Sequence, residues 1–218
     1  MKILLFANTD WFLYNFRLPL AKDLVDAGHQ VLLVSPGGDY ADRMSAEGFH
    51  HRQVRLSQKG TNPLREIQSI IEIIRLYKQE KPDVVHHFTI KPVLYGSLAA
   101  KLTSLPRIVN SITGLGYVFI STALMAKILK FIVITLYRGL LKNTAVIFEN
   151  TDDRKLFIDL KLVSSAQSAF IPGSGVDIKL FTPSDEPPET VTVLLPARLL
   201  NSKGVDEYVN AARLLKKQ

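Results

Sequence analysis

The 218-residue chain has no cysteine, one tryptophan and three methionines, and no acidic residue falls between Val84 and Phe148. Without cysteine there is no disulfide framework and no thiolate metal site, which fits a reducing compartment. Low-complexity runs and internal repeats are also missing. An apolar run from Ile3 to Ala7 follows Met1 and Lys2 at once, but no cleavage-type signal follows it. Asp10, Asn15 and Arg17 come too early for a secretory segment, so the run is a buried strand. What remains is ordinary for a globular protein: 47% hydrophobic and 22% charged residues. The length suits one large α/β domain with an appendage, or one and a half domains.

The missing acids matter most. Lys91, Lys101, Arg107, Lys127, Lys130, Arg138 and Lys142 lie in that stretch, and the whole chain carries 27 basic and 20 acidic residues for a net +7. The stretch holds the entire excess, which indicates a local anionic partner rather than general solubility. It lacks an aromatic-basic recognition motif, so a nucleic-acid role is not expected.

Short, continuously apolar runs at 2–7, 30–35, 83–87, 107–111 and 145–148 predict strands covered on both faces, with weaker ones at 53–56 and 167–171. Helical segments separate them. One is expected from near Asn15 to Gly28. Another opens at Asn62-Pro63, with Ile67, Ile70, Ile71 and Ile74 as its apolar face. The alternation implies a Rossmann-like α/β fold, a doubly wound parallel sheet with right-handed crossovers. Ligands of such sheets bind outside the carboxyl ends of the strands.

The loops at those ends hold the candidates. Asn15 and Arg17 are expected where the first helix opens, so that Arg17 stands beside free backbone N–H groups as an anion site, or else is a solvated helix charge. Lys91 follows a strand and precedes Pro92, a similar placement. Thr113, Gly114 and Gly116 form a turn that lets backbone approach a ligand closely, too short to be a dinucleotide fingerprint. His86-His87 and His50-His51 are adjacent pairs on strands, whose side chains point to opposite faces, so neither is a metal-binding unit.

Residues 108–126 carry no charge over 19 positions, but their Asn, Ser, Thr and Gly content reads as strand, turn and helix start rather than a membrane span. The helix expected from about Tyr117 to Leu141 is apolar on most faces. Lys127, Lys130, Arg138 and Lys142 are interspersed on it, membrane-facing cations if it lies in an anionic interface. The alternative is a domain helix with snorkelling lysines.

The expected domain layout is 1–183, a linker at 184–190 rich in proline and acid, and 191–218 as the first strand and helix of an incomplete second domain. In that last segment Arg198 and Lys203 bracket a loop and Gly204 leaves room at a helix start.

The run I-P-G-S-G-V-D-x-x-x-F-x-P (Ile171 to Pro183), then P-A-R-L-L-N-S-K-G-V-D-E-Y-V, resembles the interdomain region of glycosyltransferase family 4. The resemblance covers essentially the whole chain. Y-N-F-R-L-P-L from Tyr14, K-P-x-x-Y-G-x-L-A-A-K from Lys91 and G-L-G-Y-V-F from Gly114 look closest to the branch acting on polyprenyl-diphosphate-linked sugars. The resemblance implies a GT-B fold of two Rossmann-like domains, and a retaining enzyme that takes a sugar from a nucleotide-sugar, a UDP-sugar, with no metal or other cofactor.

By the same resemblance Arg198 and Lys203, with Gly204, would bind the donor diphosphate. The lipid-diphosphate acceptor would lie near Asn15, Arg17, Lys91, Thr113, Gly114 and Gly116. Fixed cations there would stabilise charge on the departing diphosphate. Many relatives place a histidine in the loop that is Thr113 to Gly116 here, so that role does not transfer. The family's E-x7-E motif for sugar and ribose lies beyond Gln218, so the chain alone is expected to bind donor poorly and transfer little. The expected setting is the cytoplasmic face of the membrane, in bacterial surface polysaccharide or glycan biosynthesis. Two other readings are a non-catalytic membrane-recruiting subunit of a split transferase and a soluble GT-B epimerase. Retained donor residues weigh against the first, and the cationic apolar helix against the second.

Overall fold

A computed structural model describes residues 1–57, 62–115, 124–185, 191–200 and 203–216. The chain forms two compact units, Met1–Asp177 and Ile178–Gln218.

The first unit is built on seven strands: β1 (Lys2–Phe6), β2 (Gln30–Ser35), β3 (His50–Gln53), β4 (Val84–Phe88), β5 (Ile108–Ile112), β6 (Ala145–Phe148) and β7 (Ser168–Phe170). Every pairing is parallel, in the order β3-β2-β1-β4-β5-β6-β7. This is the doubly wound α/β sheet expected from the continuous apolar runs. The order reverses between β1 and β4, so the loops after these two strands part and leave a crevice.

Helix α1 runs without a break through Asp10–Phe12, a π-helical turn at Leu13–Arg17, and Leu18–Asp26. Thr9 caps it, its Oγ1 accepting from the Phe12 amide at 3.0 Å. The helix therefore opens at Asp10, earlier than the expected start near Asn15. The aromatic stretch Trp11-Phe12 is its first turn rather than loop. Helix α2 is Asp39–Ala46 and α3 is Pro63–Glu80. The expected Asn62-Pro63 start is present: Asn62 Oδ1 accepts from the Leu64 amide at 3.1 Å. Helix α4 joins a π-helical Pro92–Gly96 to Ser97–Leu102, α5 is Leu124–Leu140, and α6 is Thr151–Asp159.

In-register residues assign the two sheet faces. On one, Ile3, Leu5, Leu33 and Phe88 pack against α1 and α2. On the other, Leu4, Phe6 and Val85 meet Ile73 and Tyr77 of α3 and Ala99 and Ala100 of α4. Further along that second face, Val146 and Phe148 meet Val133 and Tyr137 of α5 and Phe157 of α6. The first face is covered less far: Val109 on β5 and Ile147 on β6 stay half-buried there.

Three expectations shift. The third strand is His50–Gln53, not 53–56. It is an edge strand whose polar residues give no apolar run, and the buried Val54 and Leu56 follow it. The seam that α3 buries is Ser69, Ile73 and Tyr77, while Ile67 and Ile71 are 54% and 41% exposed, so the helix is rotated from the expected face. Helix α5 is described from Leu124; the expected residues 116–123 lie outside the described residues.

A buried polar chain crosses the second face. His87 Nδ1 and Ser97 Oγ both donate to Asn110 Oδ1, at 2.8 and 3.0 Å. Tyr77 Oη meets His87 Nε2 at 2.8 Å, and Asn110 Nδ2 donates to Thr144 Oγ1 at 3.2 Å. This satisfied network ties α3, α4, β4, β5 and the turn before β6 together.

In the second unit, helix α7 is Val205–Leu215 and follows Gly204, whose φ of 75° suits glycine. The expected strand at 191–196 is not formed among the described residues. A strand needs a neighbouring edge to take up its N–H and C=O groups, and no described strand lies in this unit.

Candidate functional site

At the carboxyl side of the β1–β4 switch point, a cleft of about 430 Å³ opens on the partly covered sheet face. Arg17, His86, Ser111 and Glu149 supply its polar groups, with Phe16 and Phe88 among its apolar ones. A larger hollow of about 760 Å³ lies by the amino ends of β1, β2 and β3, near Lys2, His50 and Glu80. Lys2 and Arg52 already pair there with Glu80, and parallel sheets bind ligands at the opposite end.

Arg17 is the centre of the cleft. Its backbone belongs to the π-helical turn of α1, and its side chain is only 9% exposed. The guanidinium lies 4.5 Å from the Phe88 ring centroid and 5.2 Å from that of Phe12, and Nη2 donates to Glu149 Oε1 at 2.6 Å. Its Nε is buried without a hydrogen-bond partner. Arg17 is thus neither at a helix N-terminus nor a solvated charge. The anion-site argument based on free helical N–H groups falls with the earlier helix start. Asn15 is exposed, its amide donating to Trp11 O at 2.9 Å, and it does not line the cleft.

His86 and His87 point to opposite faces, as their alternation requires. His86 Nε2 lies 2.8 Å from Ser111 Oγ, and its ring is 4.1 Å from Phe88. Burial above all, then His87 and Arg17, lowers its pKa to about 3. A neutral imidazole this weakly basic is a hydrogen-bonding group rather than a general base.

The loop after β4 is the second post of the crevice. Thr89 has φ 71°, unusual for a β-branched residue, and its Oγ1 is buried without a partner. Lys91 Nζ donates to Glu66 Oε1 at 2.7 Å, and Tyr95 Oη donates to Glu66 Oε2 at 2.9 Å. Both helices that follow the switch-point strands contain a π-helical turn, a local widening found mostly at functional sites. Thr113 and Gly114 follow β5, half-buried. Gly114 has φ 140° and open space where a Cβ would stand. Gly116 lies outside the described residues.

The N-terminus of α2, a place where such folds can seat a phosphate, is filled internally. Asp10 Oδ2 accepts from the Tyr40 and Ala41 amides at 3.0 and 3.2 Å.

Arg198 and Lys203 are exposed in the second unit, with the Lys203 amide donating to Leu200 O at 2.9 Å. On α5, Lys127 and Arg138 are exposed and Lys130 is half-buried; Lys142 is exposed in the turn that follows the helix. No helix among the described residues is long and apolar enough to cross a membrane.

Sequence reasoning missed Glu149, Glu66, Ser111 and Thr89. Glu149 had a signal: it is the first carboxylate after the acid-free stretch. The others are visible only as partners in space.

This sheet and crevice are half of a GT-B glycosyltransferase fold. The chain superposes on a glycosyltransferase from Rickettsia africae with a TM-score of 0.62 at 19% identity, covering 86% of this chain and 46% of that one. Residues 2–151 match the family described as glycosyl transferase 4-like, and the chain belongs to it. Over 99% of its length it is 25% identical to a Campylobacter jejuni protein named N,N'-diacetylbacillosaminyl-diphospho-undecaprenol alpha-1,3-N-acetylgalactosaminyltransferase, and it spans 61% of that protein. Over 56% of its length it is 26% identical to an Escherichia coli protein, UDP-Gal:alpha-D-GlcNAc-diphosphoundecaprenol alpha-1,3-galactosyltransferase, covering 30% of it.

Proposed function

We propose that the protein is a retaining transferase that moves a sugar from a UDP-sugar to a lipid-diphosphate-linked acceptor at the cytoplasmic face of a membrane. The observation that carries this reading is the similarity, along 99% of the chain, to a transferase whose named acceptor is a diphospho-undecaprenol glycan.

Arg198 and Lys203 then hold the donor diphosphate. Asp206 and Glu207 in the first turn of α7 offset the positive end of the helix dipole, so the two exposed cations supply most of the positive charge. As the glycosidic C–O bond breaks, negative charge grows on the diphosphate, and fixed cations lower that barrier. Gly204 lets the backbone turn without a side chain in the way.

The acceptor enters by the crevice, against Thr113, Gly114 and the loop after β4. Arg17 and Lys91 meet it as ion pairs with Glu149 and Glu66, so they offer oriented hydrogen bonds more than net charge.

The test is transfer of radiolabelled sugar from UDP-sugars to a lipid-diphosphate-linked acceptor by the protein at its native length. Arg198→Ala and Lys203→Ala should each lower kcat roughly 10²–10³-fold, the usual loss for one charge-stabilising donor. Donor hydrolysis or epimerisation with no label in the lipid fraction would sink the reading.

A further inference from the structure

We infer that Trp11 and Phe16 of α1 form a saccharide subsite that stacks one uncharged pyranose ring of the acceptor glycan. That the ring belongs to an acceptor rests on the transferase reading above; the site itself stands on the geometry of α1.

Trp11 is the chain's single tryptophan and is 48% exposed, with Phe16 beside it at 38%. Their ring centroids are 5.2 Å apart and the planes cross at 79°, so the two rings form an angled corner. A regular α-helix would not make it. At about 3.6 residues per turn, side chains five apart point about 140° away from each other. The π-helical turn Leu13–Arg17 widens the helix between them and brings Phe16 against Trp11. The irregular backbone thus pairs two rings that stay out of the buried core.

The corner is held firmly and opens beside the crevice. Phe16 and Phe88 both line the cleft, and Phe12 links them, at 5.4 Å from one ring and 6.0 Å from the other. Arg17 stacks over Phe12 and Phe88 and is fixed in turn by Glu149. The Trp11 amide donates to Asp10 Oδ1 at 2.9 Å, and its carbonyl accepts from Asn15 Nδ2 at 2.9 Å. Little freedom is left to lose on binding, which is what lets a weak planar contact count.

The surroundings select a sugar. A pyranose presents a face of C–H bonds and a rim of hydroxyls. Its C–H face matches an aromatic ring, whose own face carries partial negative charge. Its rim needs donors and acceptors, and both are present. Among the described residues no hydrogen bond takes up the Trp11 indole N–H or Asn15 Oδ1, and both side chains are exposed. A hydrocarbon chain would leave these groups unused. An anion is disfavoured, because the Asp10 carboxylate adjoins Trp11 and the Arg17 guanidinium is already paired. A neutral pyranose with hydroxyl or acetamido substituents meets all three conditions.

As the only tryptophan, Trp11 reports on this site by its own fluorescence. The 218-residue chain is titrated with the methyl glycosides of galactose, N-acetylgalactosamine, N-acetylglucosamine and glucuronic acid, and with decyl phosphate. At least one neutral sugar should shift the emission to shorter wavelength and saturate, while the uronide has no effect. Phe16→Leu and Asn15→Ala keep the reporter, and each should weaken that binding roughly three- to tenfold. Both positions are exposed, so an unchanged melting temperature separates a lost contact from lost folding. The proposal is overturned if no neutral sugar alters the emission, or if both variants titrate like the parent. A response to decyl phosphate or the uronide alone overturns it too, since the corner then takes hydrocarbon or an anion. The titration needs neither donor nor transfer, so failure of the transferase assay leaves it intact. Conversely, transfer by the native-length protein with an acceptor KM unchanged in Trp11→Ala would overturn the subsite alone.

Discussion

Acidification should weaken this fold through His87. The ring is fully buried, its Nδ1–H donating to Asn110 Oδ1 and its Nε2 facing the Tyr77 hydroxyl, with no carboxylate in the network. Burial lowers its pKa from 6.5 to about 4, against a smaller opposing effect of Asn110. The unfolded chain therefore binds a proton that the folded chain refuses. Stability is at full strength above 6.5 and is lost as the pH falls from there towards 4. The whole difference is worth about 3 kcal/mol, of which about 2 kcal/mol should appear between about pH 7 and about pH 5. His86 acts in the same direction, but it lines an open cleft and adds less than its lowered pKa alone implies. The assay is urea unfolding of the parent and of His87→Gln at both pH values. The variant starts less stable, but its stability should change less with pH than the parent's, by that same amount. Two results would refute the reasoning: an unchanged pH slope in the variant, or a His87 ring proton titrating near 6.5 in the folded protein by NMR.

Two further outcomes follow from the packing. Glu149→Gln should cost about 3 kcal/mol or more in denaturant unfolding, because it leaves the Arg17 guanidinium, only 9% exposed, without its counter-charge. Arg17→Met should cost about 3 kcal/mol in denaturant unfolding, the low end for breaking a buried pair since Glu149 keeps a fifth of its side chain exposed. Parent-like stability for both variants would show that the ion pair is not what holds this side of the cleft together. Gly96→Ala should cost roughly 1–3 kcal/mol, because the new Cβ would stand 2.5 Å from His87 Nε2 and two hydrogen bonds prevent that ring from moving away. A melting temperature equal to the parent's would show that the π-helical turn yields instead.

The sheet was legible because its strands are covered by helices or neighbours, and residues such as Leu4, Leu5 and Leu33 had to be apolar whichever face they took. β3 was misplaced because an edge strand is free to be polar, and His50–Gln53 leaves no trace in hydrophobicity. The α3 face was misread for a related reason. Its isoleucines surround the helix, and only contact with β1 and β4 selects Ile73 and Tyr77 over Ile67 and Ile71. The crevice was located from topology alone, but its chemistry was not. Arg17 meets Glu149 across 132 positions of sequence, and no local pattern can announce such a pair.

The strand order also governs how the chain can fold during synthesis. β1, β2 and β3 arise in sequence and pair as neighbours, so a three-stranded sheet can assemble first. The other edge of β1 belongs to β4, whose Val84 pairs with Ile3 eighty-one positions earlier. Until β4 emerges, Ile3 to Phe6 presents an open, wholly apolar edge, the kind of edge that recruits strands from other molecules. With only parallel pairings, no hairpin can shorten that interval, and each later strand must close a long loop before it is rewarded. Misassembly on the ribosome and in refolding should therefore begin at β1, the best-packed strand of the finished protein.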